Sequence, residues 1–150
     1  MTRAVEFLKR LNVSFEIVEY GHLEKGALFA SEAIGMPLEQ TVKTLVVEIG
    51  KKEYVTLLMP GTKKVALKKL AKSYGEKTAA MVDSDTAERL TGYVIGGIST
   101  FAMKQRLRVV IDKGLLEFDR VAINGGKKGV MLIISPKDIL KVTDAEPAEL

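Results

Sequence analysis

Lys43 is the residue whose position most clearly suggests chemistry. It opens the apolar, β-branched run 43–49, which predicts a strand. Because alternate residues of a strand point to the same face, Lys43 shares its face with Leu45 and Val47. A cation on an apolar face is costly unless its head group reaches water or a ligand. Either Lys43 snorkels out from the strand start, or it lines a cleft and holds a phosphate or an ester carbonyl.

The glycine pair Gly96-Gly97 is the second candidate. Paired glycines let a backbone approach a ligand closely and direct its N–H groups at it, and Ser99 would add a hydroxyl. The alternative is a tight bend in a loop. The surrounding residues 93–100 are interrupted by glycine and predict no regular structure.

Lysines follow a second glycine pair in the loop 125–129, which reads G-G-K-K-G. Lys127 and Lys128 would contact phosphates there, or the loop is a hairpin turn with solvated charges. The whole chain has 23 basic and 19 acidic residues, and without the acidic tail 144–150 the 23 bases face 16 acids, a net charge of +7. This balance suits a polyanionic partner, although a solubilising surface would give the same composition.

The remaining candidates have strong structural alternatives. Asp138 stands three residues after Ser135, so its carboxylate would cap a helix. Tyr20 ends a predicted strand, where an aromatic side chain usually packs in the core. His22 is the only histidine and the chain has no cysteine, so no thiol nucleophile and no histidine cluster for a metal exist. An enzyme of this composition would act by positioning and by backbone donors, with no cofactor or metal.

The elements that must position these residues are predicted from periodicity and caps. Helices are predicted over 2–11, 28–35, 67–74, 85–90 and 135–140. Strands are predicted over 14–20, 43–49, 54–59, 79–82, 108–111, 120–123 and 130–134. Without strict alternation of strand and helix, this order favours one mixed α/β domain with a curved sheet surrounded by short helices, over a doubly wound parallel sheet.

We expect a domain over residues 1–143 followed by the acidic tail 144–150. The first ten residues are too charged for a signal peptide, and no run of 18 or more apolar residues occurs. A cytoplasmic location without membrane association is therefore expected.

Six segments, taken in order, resemble the YbaK/EbsC family, which is related to the editing domain of bacterial prolyl-tRNA synthetases. The segments are F-E-I-V-E-Y-G-H at 15–22, V-K-T-L-V-V at 42–47, L-K-K-L-A-K at 67–72, T-G-Y-V-I-G-G-I-S at 91–99, I-N-G-G-K-K-G at 123–129 and S-P-K-D-I-L at 135–140, preceded by an N-terminal helix. The resemblance covers about residues 2–142 and implies a strongly curved mixed sheet.

The resemblance also implies an aminoacyl-tRNA deacylase, a hydrolase that cleaves the ester of a mischarged tRNA. Cys-tRNA(Pro) is the first substrate expected, and Ala-tRNA(Pro) or another mischarged tRNA is the alternative. The family's lysine falls on Lys43, its glycine-rich loop on Gly96 to Ser99, its tyrosine on Tyr20 and its aspartate on Asp138. Prolyl-tRNA synthetase is a further expected partner. Water or the thiol of a cysteinyl substrate would attack the ester.

Thr100 departs from the family pattern. The family loop reads G-G-I-S-P, and here Thr100 stands where proline would fix the backbone. We therefore expect Thr100 to alter the shape of the substrate pocket and leave the amino acid open. Two other functions remain: a module that binds tRNA or nucleotides without hydrolysis, and an accessory protein that binds prolyl-tRNA synthetase.

Overall fold

The computed structural model describes residues 1–21, 26–51 and 53–150. In these ranges five α-helices occur: α1 (Arg3–Arg10), α2 (Ala27–Ile34), α3 (Leu67–Ser73), α4 (Ser84–Thr91) and α5 (Pro136–Thr143). The strands are β1 (Phe15–Glu19), β2 (Val42–Ile49), β3 (Glu53–Pro60), β4 (Ala79–Met81), β5 (Arg108–Asp112), β6 (Val121–Asn124), β7 (Val130–Ile134) and β8 (Glu146–Ala148). Two 3₁₀ helices cover Leu38–Gln40 and Lys113–Glu117. No helix in these ranges is both long and apolar enough to cross a membrane.

The strands form two sheets that meet at the start of β2. The smaller sheet has the order β1-β7-β6 and is antiparallel throughout. The larger has the order β4-β2-β3-β5-β8, in which β3 pairs with β5 and β5 with β8 in parallel. A parallel bridge between Thr41 and Ala122 joins the two sheets. The predicted mixed α/β fold is confirmed, with its strands divided between two connected sheets.

Local signals in the sequence account for most element ends. The Thr2 side chain accepts a hydrogen bond from the Val5 N–H at 3.1 Å and caps α1, as predicted. Gly35 and Gly92 end α2 and α4 in the left-handed conformation, which glycine adopts at little cost. The predicted hairpin of β2 and β3 is confirmed as an antiparallel pair, with Lys43 opposite Met59.

The eighth strand was missed. It lies in residues 144–150, which the sequence presents as an acidic tail, and Glu-Pro-Ala has little intrinsic preference for a strand. Its position comes from tertiary contacts instead. The carboxylate of Glu146 accepts two hydrogen bonds from Arg108, at 2.8 and 3.0 Å, across the β5–β8 pair.

Strand β2 lies between two apolar clusters. Val42 belongs to the main core, which packs α1 and α5 against β5, β6 and β7. Val47 and Ile49, on the other face, pack with Leu70 of α3. By strand alternation Lys43 belongs to the Val47 face, as predicted. The lysine therefore stands at the end of a face that is apolar along the rest of its length.

Asp112, at the end of β5, is an ionisable group held in the interior. Its side chain is 1% exposed, and its Oδ1 accepts hydrogen bonds from the Lys63 Nζ and the Leu150 N–H, both at 3.0 Å. Its Oδ2 accepts from the Gly114 N–H at 3.1 Å. Three donors offset the cost of burying a carboxylate and tie the last residues to the domain.

Deleting residues 146–150 is therefore expected to destabilise the whole domain. The buried Asp112 carboxylate loses one donor and β5 loses its neighbour, so the free energy of unfolding should fall by about 1–3 kcal/mol. Urea denaturation followed by circular dichroism measures this change. The exposed control Glu149→Gln should leave the midpoint where it is. An unchanged midpoint in the deletion variant would show that this segment does not contribute to the domain's stability.

Candidate functional site

A cavity of about 320 Å³, here named the site cavity, opens where β1, α2, β2 and β6 end or begin. Its walls come from both sheets and from the loop that precedes β5. The lining residues are Tyr20, Gly26, Ala27, Ala30, Val42, Lys43, Thr44, Leu45, Ile95, Gly96, Ile98, Asn124 and Met131. Three residues singled out in the sequence, Lys43, Gly96 and Tyr20, thus come together from distant parts of the chain.

Lys43 stands half-buried in the cavity wall. Among residues 1–21, 26–51 and 53–150 its ammonium has no ion-pair partner. Burial lowers the pKa of Lys43 below its ordinary value, because the charged form loses hydration, and the positive charge of Lys64 lowers it further. Of the two interpretations of Lys43, its place in a cavity wall favours a cation that lines a cleft.

Tyr20 forms the wall between the site cavity and a second depression. Its backbone N–H donates to the Gly129 carbonyl at 2.9 Å, and its ring packs against Phe29 with centroids 6.0 Å apart. The second depression, of about 470 Å³, is lined by Tyr20, Lys127 and Lys128. Burial raises the pKa of the Tyr20 phenol, because the charged form loses hydration.

The glycine pair forms a tight turn rather than two free donors. The Gly97 N–H donates to the Val94 carbonyl at 2.9 Å, and Gly96 has φ +96°, as the third residue of a type II turn requires. The Gly97 N–H is thus not available to a substrate, which corrects half of the predicted donor pair. The Gly96 N–H has no hydrogen-bond partner among the residues that the structure describes, and Gly96 lines the site cavity.

Gly97 has a different role, which is to let two loops touch. A Cβ at Gly97 would lie 2.6 Å from the Lys127 carbonyl carbon and 2.7 Å from the Lys128 nitrogen. A Cβ at Gly96 would lie 2.9 Å from Cε of Lys128. The turn and the lysine loop 125–129 therefore pack backbone to backbone. Lys127 and Lys128 are exposed and are held beside the site cavity.

Three predicted substrate contacts are not brought to the site cavity. Ser99 is fully buried, and its hydroxyl accepts from the Phe101 N–H at 3.0 Å. Thr100 is 6% exposed and lines a different cavity of about 250 Å³. Asp138 lies in the first turn of α5, which is capped by the Ser135 hydroxyl, and does not line the site cavity. Ile98 both lines the cavity and packs in the main core, and the residues after it, Ser99 to Phe101, are buried and do not line the cavity.

Sequence reasoning missed Asn124, Ala30 and Met131. Asn124 ends β6, although an asparagine before two glycines predicts a turn. Its amide forms no hydrogen bond with any described residue, so it is free to bind a ligand. Ala30 and Met131 pack in a small cluster and give the cavity an apolar wall. His22 lies outside the described residues.

The site cavity thus combines one cation, one free backbone N–H, one free amide and the hydroxyl-bearing residues Thr44 and Tyr20 in a largely apolar wall, and the buried Thr44 hydroxyl has no hydrogen-bond partner among the described residues. No group of three or more histidine, aspartate or glutamate side chains in the described ranges is placed to hold a metal ion. None of the lining residues in those ranges is a serine, histidine or carboxylate that would serve as nucleophile or base. Such a set stabilises negative charge that develops on a carbonyl oxygen.

The chain matches a known protein family over most of its length. The model of the family described as the aminoacyl-tRNA editing domain matches residues 26–142. The match includes Lys43, the turn at 94–97 and the lysine loop, so every structural feature of the site except Tyr20 falls within it.

Individual proteins resemble the chain over nearly its whole length. EbsC of Enterococcus faecalis, described as a Cys-tRNA(Pro)/Cys-tRNA(Cys) deacylase, is 28% identical over 99% of the chain and 92% of that protein. The multifunctional Ser/Thr-tRNA deacylase ProXp-y of Escherichia coli is 28% identical over 96% of the chain and 88% of that protein. A crystal structure described as a trans-editing enzyme for prolyl-tRNA synthetase superimposes with a TM-score of 0.88 and 27% identity, covering 99% of the chain and 94% of that structure.

Gly97→Ala is expected to destabilise the protein. The added Cβ meets backbone atoms of Lys127 and Lys128, which have little freedom to move, so the free energy of unfolding should fall by about 1–3 kcal/mol. Gly21→Ala is the matched control, since nothing lies within 4 Å of its added Cβ. Thermal unfolding of both variants measures the difference, and equal midpoints would contradict the close packing.

Lys64→Ala is expected to raise the pKa of Lys43. Removing a neighbouring positive charge stabilises the ammonium form of Lys43, so its proton dissociates at higher pH. The pKa should still stay below its ordinary value, because burial is unchanged. Proton titration of ¹³C-methylated lysines by NMR measures it. The exposed control Lys137→Ala should not move it, and an unmoved pKa in Lys64→Ala would show that the two ammonium groups are not coupled.

Proposed function

The chain belongs to the aminoacyl-tRNA editing domain family and is an aminoacyl-tRNA deacylase, and we propose that the site cavity binds the aminoacyl ester of Cys-tRNA(Pro). One observation carries this assignment. Lys43 is a cation without an ion-pair partner among the described residues, in the wall of a cavity that is otherwise largely apolar. An aminoacyl ester offers what this cavity lacks, which is an oxygen that becomes negative as the ester is cleaved.

The size of the cavity supports a small amino acid. Its volume of about 320 Å³ must hold the aminoacyl group and part of the ribose. Ala27, Ala30 and Ile98 form walls that suit a short side chain. EbsC, described as acting on cysteinyl-tRNA, has a similar sequence over the same length. Ala-tRNA(Pro) is the alternative, and seryl or threonyl esters follow from the description of ProXp-y. Synthetase sites discriminate poorly among such small side chains, so editing is needed.

In the mechanism that we propose, the chain supplies no covalent nucleophile. The Lys43 ammonium and the Gly96 N–H bind the carbonyl oxygen, and the Asn124 amide orients the ribose. A water molecule attacks the carbonyl carbon and the bond to the ribose oxygen breaks. The ribose oxygen takes up the proton that the water loses, so amino acid and tRNA leave intact. Stabilising the oxyanion in a partly dehydrated site is the main contribution to the rate.

The tRNA itself is bound outside the site cavity. Lys127 and Lys128 are exposed beside Gly96 and contact phosphates of the acceptor end in this proposal. Tyr20 separates these contacts from the ester. Prolyl-tRNA synthetase is proposed as a partner because a similar structure is described as its trans-editing enzyme. The substrate is made in the cytoplasm, and we place the chain there.

Lys43→Ala is expected to lower the single-turnover rate of Cys-tRNA(Pro) deacylation by about 10²-fold or more, since one oxyanion contact is worth that much. The fold should stay intact, because Lys43 is only half-buried. Lys137→Ala removes an exposed lysine from α5 and is the control for charge. Circular dichroism confirms folding in both. A rate for Lys43→Ala close to that of the parent chain would refute the assignment.

The same assay with cysteinyl-, alanyl- and seryl-tRNA(Pro) decides the substrate. Faster release of cysteine than of alanine supports the proposal, whereas equal rates would show that the cavity selects size alone and that the cysteine thiol takes no part. Thr100 is buried away from the cavity, but its departure from the family pattern keeps a second function under test. Tight tRNA binding with no release of any of the three amino acids would identify a non-catalytic binding module.

A further inference from the structure

We propose that Lys64 is a second substrate-binding cation, which binds the phosphate that joins the last two nucleotides of the tRNA while Lys43 binds the ester. The inference rests on the proposed function and adds that two lysines bind different groups of the substrate. Nothing in the predicted site included Lys64, which lies after β3 in a turn between a strand and a helix.

Hydrogen bonds place the Lys64 turn next to the start of β2. Strand β3 runs antiparallel to β2 and ends at Pro60. The Lys63 N–H then donates to the Pro60 carbonyl at 3.1 Å, which closes a turn. The Gly61 N–H donates to the Thr41 carbonyl at 2.8 Å. Since Thr41 precedes Lys43 by two residues, the turn is fixed to the strand that carries the ester-binding lysine.

The turn also lies against the rim of the site cavity. A Cβ at Gly61 would lie 2.5 Å from Cδ1 of Leu38 and 3.0 Å from Cβ of Ala27. Ala27 lines the site cavity. The chain therefore passes the cavity wall at van der Waals distance just before it reaches Lys63 and Lys64. A substrate that leaves the cavity on this side meets the turn next.

An ion pair with the interior holds the turn in place. The Lys63 Nζ lies 3.0 Å from Oδ1 of Asp112, which is 1% exposed, while the Lys63 side chain is 44% exposed. Asp112 is held in turn by the N–H groups of Gly114 and Leu150. Lys63, one of the two adjacent lysines, is thus already paired with a buried carboxylate. The other, Lys64, is exposed and has no ion-pair partner among the described residues.

Lys43 lies in the cavity wall, and Lys64 follows the turn that adjoins the cavity rim. The charge of Lys64 lowers the pKa of Lys43, so the two ammonium groups are near enough to repel. In the described part of the chain neither has an acidic partner. Such an arrangement is unfavourable in the free protein and favourable once an anion lies between the two groups. The ester occupies the cavity, and the nearest anion of the substrate is the phosphate one nucleoside away.

Lys127 and Lys128 do not form such a pair of neighbouring cations with Lys43. They lie beside Tyr20 and the glycine pair, and the charge that lowers the pKa of Lys43 is that of Lys64. Their contacts would be made with phosphates further along the strand. Lys64 is the lysine whose position depends on the same strand as the ester contact, so its effect should depend on one particular phosphate.

Two minimal substrates separate this phosphate from the rest of the tRNA. The first is the 3′-cysteinyl ester of adenosine, which has no phosphate, and the second is the 3′-cysteinyl ester of cytidylyl-adenosine, which has one. Lys64→Ala is expected to raise KM for the dinucleotide ester about tenfold, as loss of a charge-assisted contact implies, while kcat stays within about twofold. On the adenosine ester it should match the parent chain.

Three variants complete the design. Lys64→Arg should restore KM for the dinucleotide ester because a cation is retained, and Lys137→Ala should leave both substrates unaffected. Lys63→Gln breaks the ion pair with Asp112 and should raise KM for the dinucleotide ester without changing kcat. An equal loss on both esters in Lys64→Ala, or no loss on either, would overturn the proposal.

A binding measurement keeps the result independent of hydrolysis. The affinities of unacylated cytidylyl-adenosine and adenosine are compared by calorimetry at low salt. A preference for the dinucleotide that disappears in Lys64→Ala supports the phosphate contact even if the parent chain cleaves neither ester, in which case only the proposed function fails. Equal affinity of the parent chain for both compounds would overturn the role of Lys64 whether or not hydrolysis occurs.

Discussion

At Gly97 the backbones of two loops approach so closely that one added carbon would lie within 2.6 Å of Lys127. The turn at 94–97 comes from the long irregular segment before β5, and the lysine loop joins β6 to β7. Their contact holds the Gly96 N–H at one wall of the site cavity and two exposed lysines just outside it. If this contact opened, the cavity would lose a wall and the two exposed lysines would lose their fixed position beside Gly96.

The hairpin of β2 and β3 fixes the position of Lys43 in the cavity wall. The face that it shares with Val47 and Ile49 is buried for most of its length, and the lysine stands where that face opens into the site cavity. The apolar surroundings remove water from the ammonium and lower its pKa. In the mechanism that we propose, the same dehydration strengthens its interaction with a developing oxyanion, because fewer water molecules compete for the charge. In this proposal, dehydration of the ammonium therefore both makes its burial costly and strengthens its contact with the oxyanion.

The sequence predicts the scaffold better than the site. Alternation and caps are local signals, so the hairpin, the Thr2 cap and the glycine ends of α2 and α4 agree with the structure. Ser99 was assigned to the substrate as a hydroxyl beside the glycine pair, and Thr100 because it replaces the family's proline. Both are buried beyond Ile98, the last residue of this segment that lines the cavity, and nothing local in the sequence reveals that burial. Strand β8 was missed for a related reason: it is held by β5 and by Arg108, which are distant in sequence.

In the function that we propose, the ester lies in the site cavity with its carbonyl oxygen on Lys43. A crystal structure of the complex with 3′-cysteinylamino-3′-deoxyadenosine, whose amide resists hydrolysis, tests this claim most directly. We predict that the amide oxygen lies within hydrogen-bond distance of the Lys43 Nζ and that the cysteinyl group contacts Ala30 and Ile98. An analogue bound in the cavity beside Thr100, or one whose carbonyl points away from Lys43, would contradict the account.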